Sequence, residues 1–471
     1  MNVDVAIVGG GVSGLGTAYA LKRRGYRVAV LERQAAIGGN AISERLAGGF
    51  LMEHGPSTLR ASSAATVDLS GELGLGGQRC ELGDGVRHRY LVADGRLHGI
   101  PVSPLGFLTS GFLSARARMR MMAEMAIPRR DGIEDESVLD FCTRRFGREV
   151  AERIIDPLVG GLYAGRASEL SVASVFPALV AMERQYGSVS LGVLRRRRQG
   201  GKMPGSRLFS FRGGVAALPG ALAHQLGDGV ATGVTVRRIV PTGGGFHIQA
   251  GTAGSFKAKA LVLATQPHVA AGLLADADPQ AAAAAAEIVA PPMAVVFLGY
   301  ARESVAHTLD GVGFLLPESE NRPILGSQFC STMFEARAPE GHVAIAGYFG
   351  GTRSPEVARL PASDLIALAR EEFGDLVGAK GAPAVARVRH WPMGLPQYRR
   401  GHQARIAQIR GASQRQPGLF VTGNYFTGPS VSACVEVAQK AAAEVDAYLA
   451  GTRSSIRGAG GVAGRTKEAR S

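Results

Sequence analysis

Three glycines and one acid near the start of the chain are the first residues whose types and spacing suggest chemistry: Gly9-x-Gly11-x-x-Gly14, and Glu32 about twenty residues on. In such a triplet Gly9 permits a tight turn, Gly11 lets the backbone reach a pyrophosphate, and Gly14 lets a helix close onto a strand. The phosphate charge would then rest on the free N–H groups at the helix start. A carboxylate at the position of Glu32 can accept both hydroxyls of a ribose. Glycine triplets alone also occur in unrelated turns, so the flanking segments decide. Residues 3–8 read as a buried parallel strand, 15–24 as a helix stopped by Gly25, and 27–31 as a second strand ending at Glu32. Together they make a βαβ unit of about 30 residues, the length of one mononucleotide-binding half.

Two further features point to FAD as the dinucleotide. Gly38-Gly39 lies just beyond Glu32, a placement that resembles the FAD enzymes of the amine oxidase type, where this second glycine pair lets the chain pass close to the flavin diphosphate. Near the other end, residues 418–423 form a short apolar run closing on Gly423, followed by a long helical pattern at 431–449. A strand, glycine and helix in that order bring a helix N-terminus to the flavin pyrimidine, where its partial positive charge favours the anionic reduced ring.

The elements that must position these residues are spread along the chain. Residues 100–200 are rich in Leu, Met, Ala and Arg and read as mostly helical; Met119 to Met125 carry apolar groups on several faces, with arginines before and after. Short strands return from 211 to 265. Strands at 293–299 and 342–348 and a helix near 362–373 follow. The fold class expected is α/β. A discontinuous Rossmann-type FAD-binding domain would be built from 1–75, 205–272 and 412–450, and a mixed-sheet substrate domain from 76–98 and 273–411. A helical, membrane-associating insertion would occupy 99–204, with a disordered tail at 451–471.

Composition narrows the function classes. At 471 residues, 46% hydrophobic and 20% charged, the chain can bury a large core. Its net charge is +14. That excess could meet nucleic acid, an anionic membrane surface or an anionic substrate. The arginine clusters at 116–130, at 195–198 and after 451 are not interleaved with aromatics as in single-strand binders, so nucleic acid is not expected. Cys80, Cys142, Cys330 and Cys434 have neither paired nor zinc-like spacing, so neither a disulfide framework nor a metal is expected. With no basic leader and no long apolar run, the expected location is the cytoplasm, as a soluble or peripheral membrane protein.

Longer stretches carry a resemblance. They include Met52-Glu-His-Gly-Pro56, Arg89-Tyr-Leu-Val, Asp156-Pro-Leu-Val-Gly-Gly-Leu-Tyr-Ala-Gly165, Phe211-Arg-Gly-Gly214 and Gly313-Phe-Leu-Leu-Pro317. Trp391-Pro-Met-Gly-Leu-Pro-Gln-Tyr398 with Gly401-His402, and 423–434, complete the set. On these the chain resembles the oxygen-dependent protoporphyrinogen oxidases, together with the coproporphyrinogen oxidases of the same flavin family, over about residues 3–450. The resemblance implies FAD-dependent oxidation of protoporphyrinogen IX by oxygen in heme biosynthesis, the alternatives being coproporphyrinogen III oxidation or another flavin desaturase. It implies hydride transfer from a meso carbon to the flavin, three times per porphyrin, with peroxide released. Porphyrinogen and oxygen would be the reactants, with an anionic membrane surface and a second copy of the chain as partners.

The resemblance also assigns residues. Arg89 would hold a propionate, the carbonyl of Gly161 would face the pyrrole N–H groups, and Leu315 and Tyr348 would sandwich the rings. The cofactor set Gly9, Gly11, Gly14, Glu32, Gly38, Gly39 and Gly423 extends to Gly55, Val234 and Val431. No side chain is assigned as a catalytic base; His88, His98 and His402 qualify by type only. One departure stands out: Ala433 precedes Cys434-Val435 where the family usually has Asp, leaving Ser430 or Ser432 to cap the last helix.

Overall fold

The computed structural model describes residues 1–100, 111–130, 132, 134–198 and 207–462. Strand β1 (Asn2–Val8), helix α1 (Val12–Arg23) and strand β2 (Val28–Leu31) form the expected βαβ unit, with β1 and β2 parallel. β1 is buried on both faces after its first residue, as a central parallel strand requires, and Asp4 is its one charged residue.

Distant segments complete this sheet. Ser255–Leu263 pairs parallel to β1, Val230–Ala231 parallel to β2, and Leu419–Val421 parallel to the second half of Ser255–Leu263. An antiparallel hairpin, Arg238–Thr242 and Gly245–Gln249, joins the first half of Ser255–Leu263. The last helix, Val431–Val462, runs beyond the 449 read from the sequence and into the segment expected to be a disordered tail; residues 463–471 lie outside the described residues. It packs on α1, where the Cβ of Ala438 lies 3.0 Å from the place a Cβ on Gly16 would take. The region 211–265 is not strands alone. Ala217–Leu226 is a helix, and Pro219 sits in its first turn, where a missing N–H costs nothing.

A second seven-stranded sheet is antiparallel except where Gly311–Leu315 runs parallel to His88–Ala93. Helix Ala362–Val377 covers one face, burying Leu365, Ala369 and Phe373 against Val296, Leu298 and Phe314. The opposite face meets the FAD-side hairpin Ser43–Glu53 and the helical region.

Most of the described residues within 111–198 are helical, and a buried ionic cluster ties them together. The Glu124 carboxylate, fully buried, accepts from Ser188 Oγ and from the Val189 and Ser190 N–H groups, and pairs with Arg145. Those N–H groups begin helix Val189–Arg198, so the carboxylate caps it. Met119, Met122 and Met125 remain exposed at 61%, 60% and 55%. No helix among the described residues is long and apolar enough to cross a membrane.

Candidate active site

The glycine turn is closed by backbone alone. Gly9 has φ 109°, and a Cβ there would fall 2.5 Å from Ala264 O. A Cβ on Gly14 would fall 2.0 Å from Gly9 O, so the first turn of α1 can approach β1 only without a side chain. Gly11 caps α1 and bridges to Gly38, and Gly38 N–H donates to Gly10 O at 2.8 Å. Gly39 lies against Gly11, its Cβ direction 3.2 Å from Gly11 Cα. Gly11, Gly38 and Gly39 thus form one side-chain-free surface at a helix N-terminus, the surroundings a diphosphate needs.

Glu32 sits at the end of β2. Its carboxylate accepts from Gly10 N–H at 2.6 Å and Gln34 N–H at 2.7 Å. Each oxygen keeps a further lone pair for a hydroxyl donor. Val234 joins through its backbone, donating N–H to Glu32 O at 2.8 Å. Gly423 lies beyond Leu419–Val421 with φ 151°, and Val431 is the first residue of the last helix. Ser430 is that helix's cap: its Oγ accepts from Ala433 N–H at 3.2 Å. Ser432 is engaged elsewhere, accepting from Arg60 N–H at 3.0 Å. Residues of this cradle fit a dinucleotide: bare glycine backbone, a free helix start and a carboxylate at ribose distance along the chain.

Gly55 links the cradle to the second sheet. Its carbonyl accepts from Tyr348 Oη at 3.5 Å, and Trp391 Nε1 donates to His54 O at 2.7 Å. Glu53, one residue before His54, turns into the core, where Ser43 Oγ and Val215 N–H donate to it and Arg337 is nearby. Burial lifts its carboxyl to about 7.

Strand register brings the expected substrate residues together. Leu91 pairs with Leu315, Leu315 with Gly326, Gly326 with Tyr348, and Tyr348 with Val295. Directly opposed residues share a face, so these side chains form one transverse row. Gly326 leaves a gap in it between Leu315 and Tyr348. Gly161 comes down on the row from helix Asp156–Tyr163; a Cβ there would lie 2.3 Å from Leu315 Cδ2. In the last turn of that helix the Gly160 carbonyl accepts from Ala164 N–H and the Tyr163 carbonyl from Gln397 Nε2, while Gly161 itself is exposed. Tyr348 is held protonated, since burial pushes its hydroxyl far above the usual range.

Arg89 lies two residues before Leu91 on the same strand face, exposed and without an ion pair among the described residues. It is beside the row rather than in it. His98 pairs with Leu91 at the row's end, and His88 turns to Asp310 on the other face. His402 is structural: its Nε2 donates to Tyr425 O at 2.8 Å and its ring stacks on Tyr398. Gly326 and Arg353, absent from the sequence reading, belong to this site. A glycine inside the largely buried strand Ile324–Phe329 is the signal that marks the first.

The whole arrangement has known counterparts. Residues 12–446 match the family of flavin containing amine oxidoreductases. The chloroplastic protoporphyrinogen oxidase of Oryza sativa subsp. japonica is 30% identical over 479 residues, covering 95% of this chain and 89% of that protein. The coproporphyrinogen III oxidase of Propionibacterium freudenreichii subsp. freudenreichii is 30% identical over 493 residues, covering 96% and 92%. Among solved structures, an Exiguobacterium sp. 255-15 protein assigned as a protoporphyrinogen oxidase superposes with a TM-score of 0.80 at 22% identity, covering 94% of this chain and 98% of that one. Cyclohexylamine oxidase from Brevibacterium oxydans IH-35A superposes at 0.72 with 18% identity, covering 95% and 100%. The chain therefore belongs to the flavin-containing amine oxidoreductase family, and its cofactor is FAD.

Proposed function

We propose that this chain oxidises protoporphyrinogen IX to protoporphyrin IX, with oxygen as the final electron acceptor, in porphyrin and heme formation. The observation that carries the reading is the row Leu315–Gly326–Tyr348 facing Gly161 beside Gly55. A flexible apolar macrocycle calls for an apolar wall with small backbone beside it, and for few polar contacts to orient it. When bound, FAD supplies the acceptor for the electrons removed from the ring.

The chain's own groups do the positioning. Leu315 and Tyr348 would hold the ring faces, and the Gly161 carbonyl would accept from pyrrole N–H groups. Arg89, exposed and carrying no ion pair among the described residues, is available for a bidentate bond to a propionate. Neither Tyr348 nor His402 is suited to take a proton: the first stays protonated, and burial pulls the pKa of the second down to about 4. We assign the exposed Met119, Met122 and Met125, among Arg116, Arg118 and Arg120, to contact with an anionic membrane from the cytoplasmic side.

Coproporphyrinogen III is the second reading, favoured by the Propionibacterium relative, which matches as closely as the plant enzyme. Its four carboxylates would call for more cations than Arg89. Purified holoenzyme given each porphyrinogen under air separates the two: porphyrin fluorescence and peroxide should rise faster with protoporphyrinogen. Oxidation of neither, with FAD bound, would sink the proposal.

A further inference from the structure

Helix Asp156–Tyr163, which carries Gly161, is held in an unusual way at both ends. A π-helical run, Ala151–Ile155, feeds into it, and Ala164 closes it in the left-handed conformation at φ 51°. Features of this kind persist only where the surroundings over-determine them. At this helix Gln397 holds the Tyr163 carbonyl at one end, and Arg353, in the turn after strand His342–Gly350, holds the other.

The Arg353 side chain is only 9% exposed. Its Nη1 donates to Leu316 O at 2.9 Å; its Nη2 donates to the Asp156 carboxylate at 2.9 Å and to Asp156 O at 3.1 Å. The same Asp156 oxygen accepts from Glu318 N–H at 2.8 Å. A Cβ on Gly160 would fall 2.7 Å from Nη2, so the guanidinium rests on the bare face of that glycine. Leu316 follows Leu315 and Gly160 precedes Gly161. One guanidinium therefore ties together the neighbours of two residues in contact, Gly161 and Leu315.

We infer that Arg353 is a positioning residue that fixes how Gly161 sits on Leu315 at the edge of the proposed substrate row, with Asp156 as its anchor. A lysine in its place could keep a charge near Asp156 but could not also reach the Leu316 carbonyl in a fixed fork. Removing the charge leaves the Asp156 carboxylate unpaired and free to draw the helix away. The inference rests on the porphyrinogen reading, because only a ligand lying on this row senses where Gly161 is held.

The test uses full-length, FAD-loaded protein with R353M, R353K and D156N. The readouts are KM and kcat for protoporphyrinogen, Kd for protoporphyrin by fluorescence quenching, and oxygen-dependent reoxidation of chemically reduced flavin. Both KM and Kd should rise about tenfold in R353M and D156N and several-fold in R353K, with reoxidation within about twofold of wild type. The double variant should be no worse than R353M alone, since the two residues act as one unit. Wild-type KM and Kd in R353M, or a loss of reoxidation matching the rise in KM, would overturn the inference. If R353M does not fold with flavin, R353K is judged by the same criteria. Should the wild-type enzyme neither oxidise a porphyrinogen nor bind porphyrin, the functional reading itself falls; should it do both while R353K and D156N behave as wild type, only the role of Arg353 falls.

Discussion

His402 illustrates how a residue with the right chemistry can be spent on structure. Its Nε2–H is committed to Tyr425 O, its ring is stacked at 4.3 Å on Tyr398, and burial pulls its pKa from 6.5 to about 4. The unfolded chain therefore takes up a proton more readily than the folded one. The stability this neutral ring contributes is complete above about pH 6.5 and drains away as pH falls toward 4, up to about 3 kcal/mol. Thermal unfolding across that range should fall steeply for wild type and more gently for H402Q, which keeps a donor but cannot titrate. Parallel pH profiles would refute the assignment. The residues legible in the sequence were those whose chemistry is local: Gly9, Gly11, Gly14 and Glu32 act within one βαβ unit. Gly326 and Arg353 were not, because their roles arise from strand register and from a contact across nearly two hundred residues, from Arg353 to Asp156.

Among the elements, the last helix tests how a short polar side chain substitutes for a missing acid. Ala433 offers its N–H and no carboxylate, so the helix start depends on Ser430 Oγ. S430A should cost about 1 kcal/mol, seen as a lower Tm, and should weaken FAD retention because that helix start faces the cofactor cradle. S432A should leave the cap intact and disturb only the Arg60 N–H. Equal losses in both variants would remove Ser430 from that role. The segment from helix Ala115–Met122 through the turn Ala123–Ala126 makes a second test. If its exposed methionines enter a bilayer, M119S/M122S/M125S should sediment less with anionic vesicles while turnover of dispersed substrate is kept. No change in the bound fraction would leave those side chains without a membrane role. The sequence hid one helix for a plain reason: Leu-Pro-Gly at 218–220 looks like a breaker, yet Pro219 falls in a first turn, where proline is tolerated.

At the scale of the whole molecule, the parallel sheet is assembled from the two ends and the middle of the chain. Leu419–Val421 completes it only after some four hundred residues have been made, and Val431–Val462 then covers α1. Val435, Ala442, Val445 and Leu449 share one core with Val5, Leu15 and Leu21. Thr17 Oγ1 lies between Ser13 O and Ala438 O, at 2.7 and 3.3 Å. A chain cut after 417 would expose the apolar face of α1 and lose the helix start at Val431 together. Such exposure favours aggregation over a stable remnant, since contacts this distant in sequence form late in folding. The truncated protein should be recovered colourless and largely insoluble. A chain cut after 450 keeps Leu449 and every contact named here, and should remain yellow, with a Tm within about 3 °C of the full-length protein. A soluble chain ending at 417 that still takes up FAD stoichiometrically would mean that the first two segments suffice to hold the cofactor, and that the closing strand and helix serve only the substrate side.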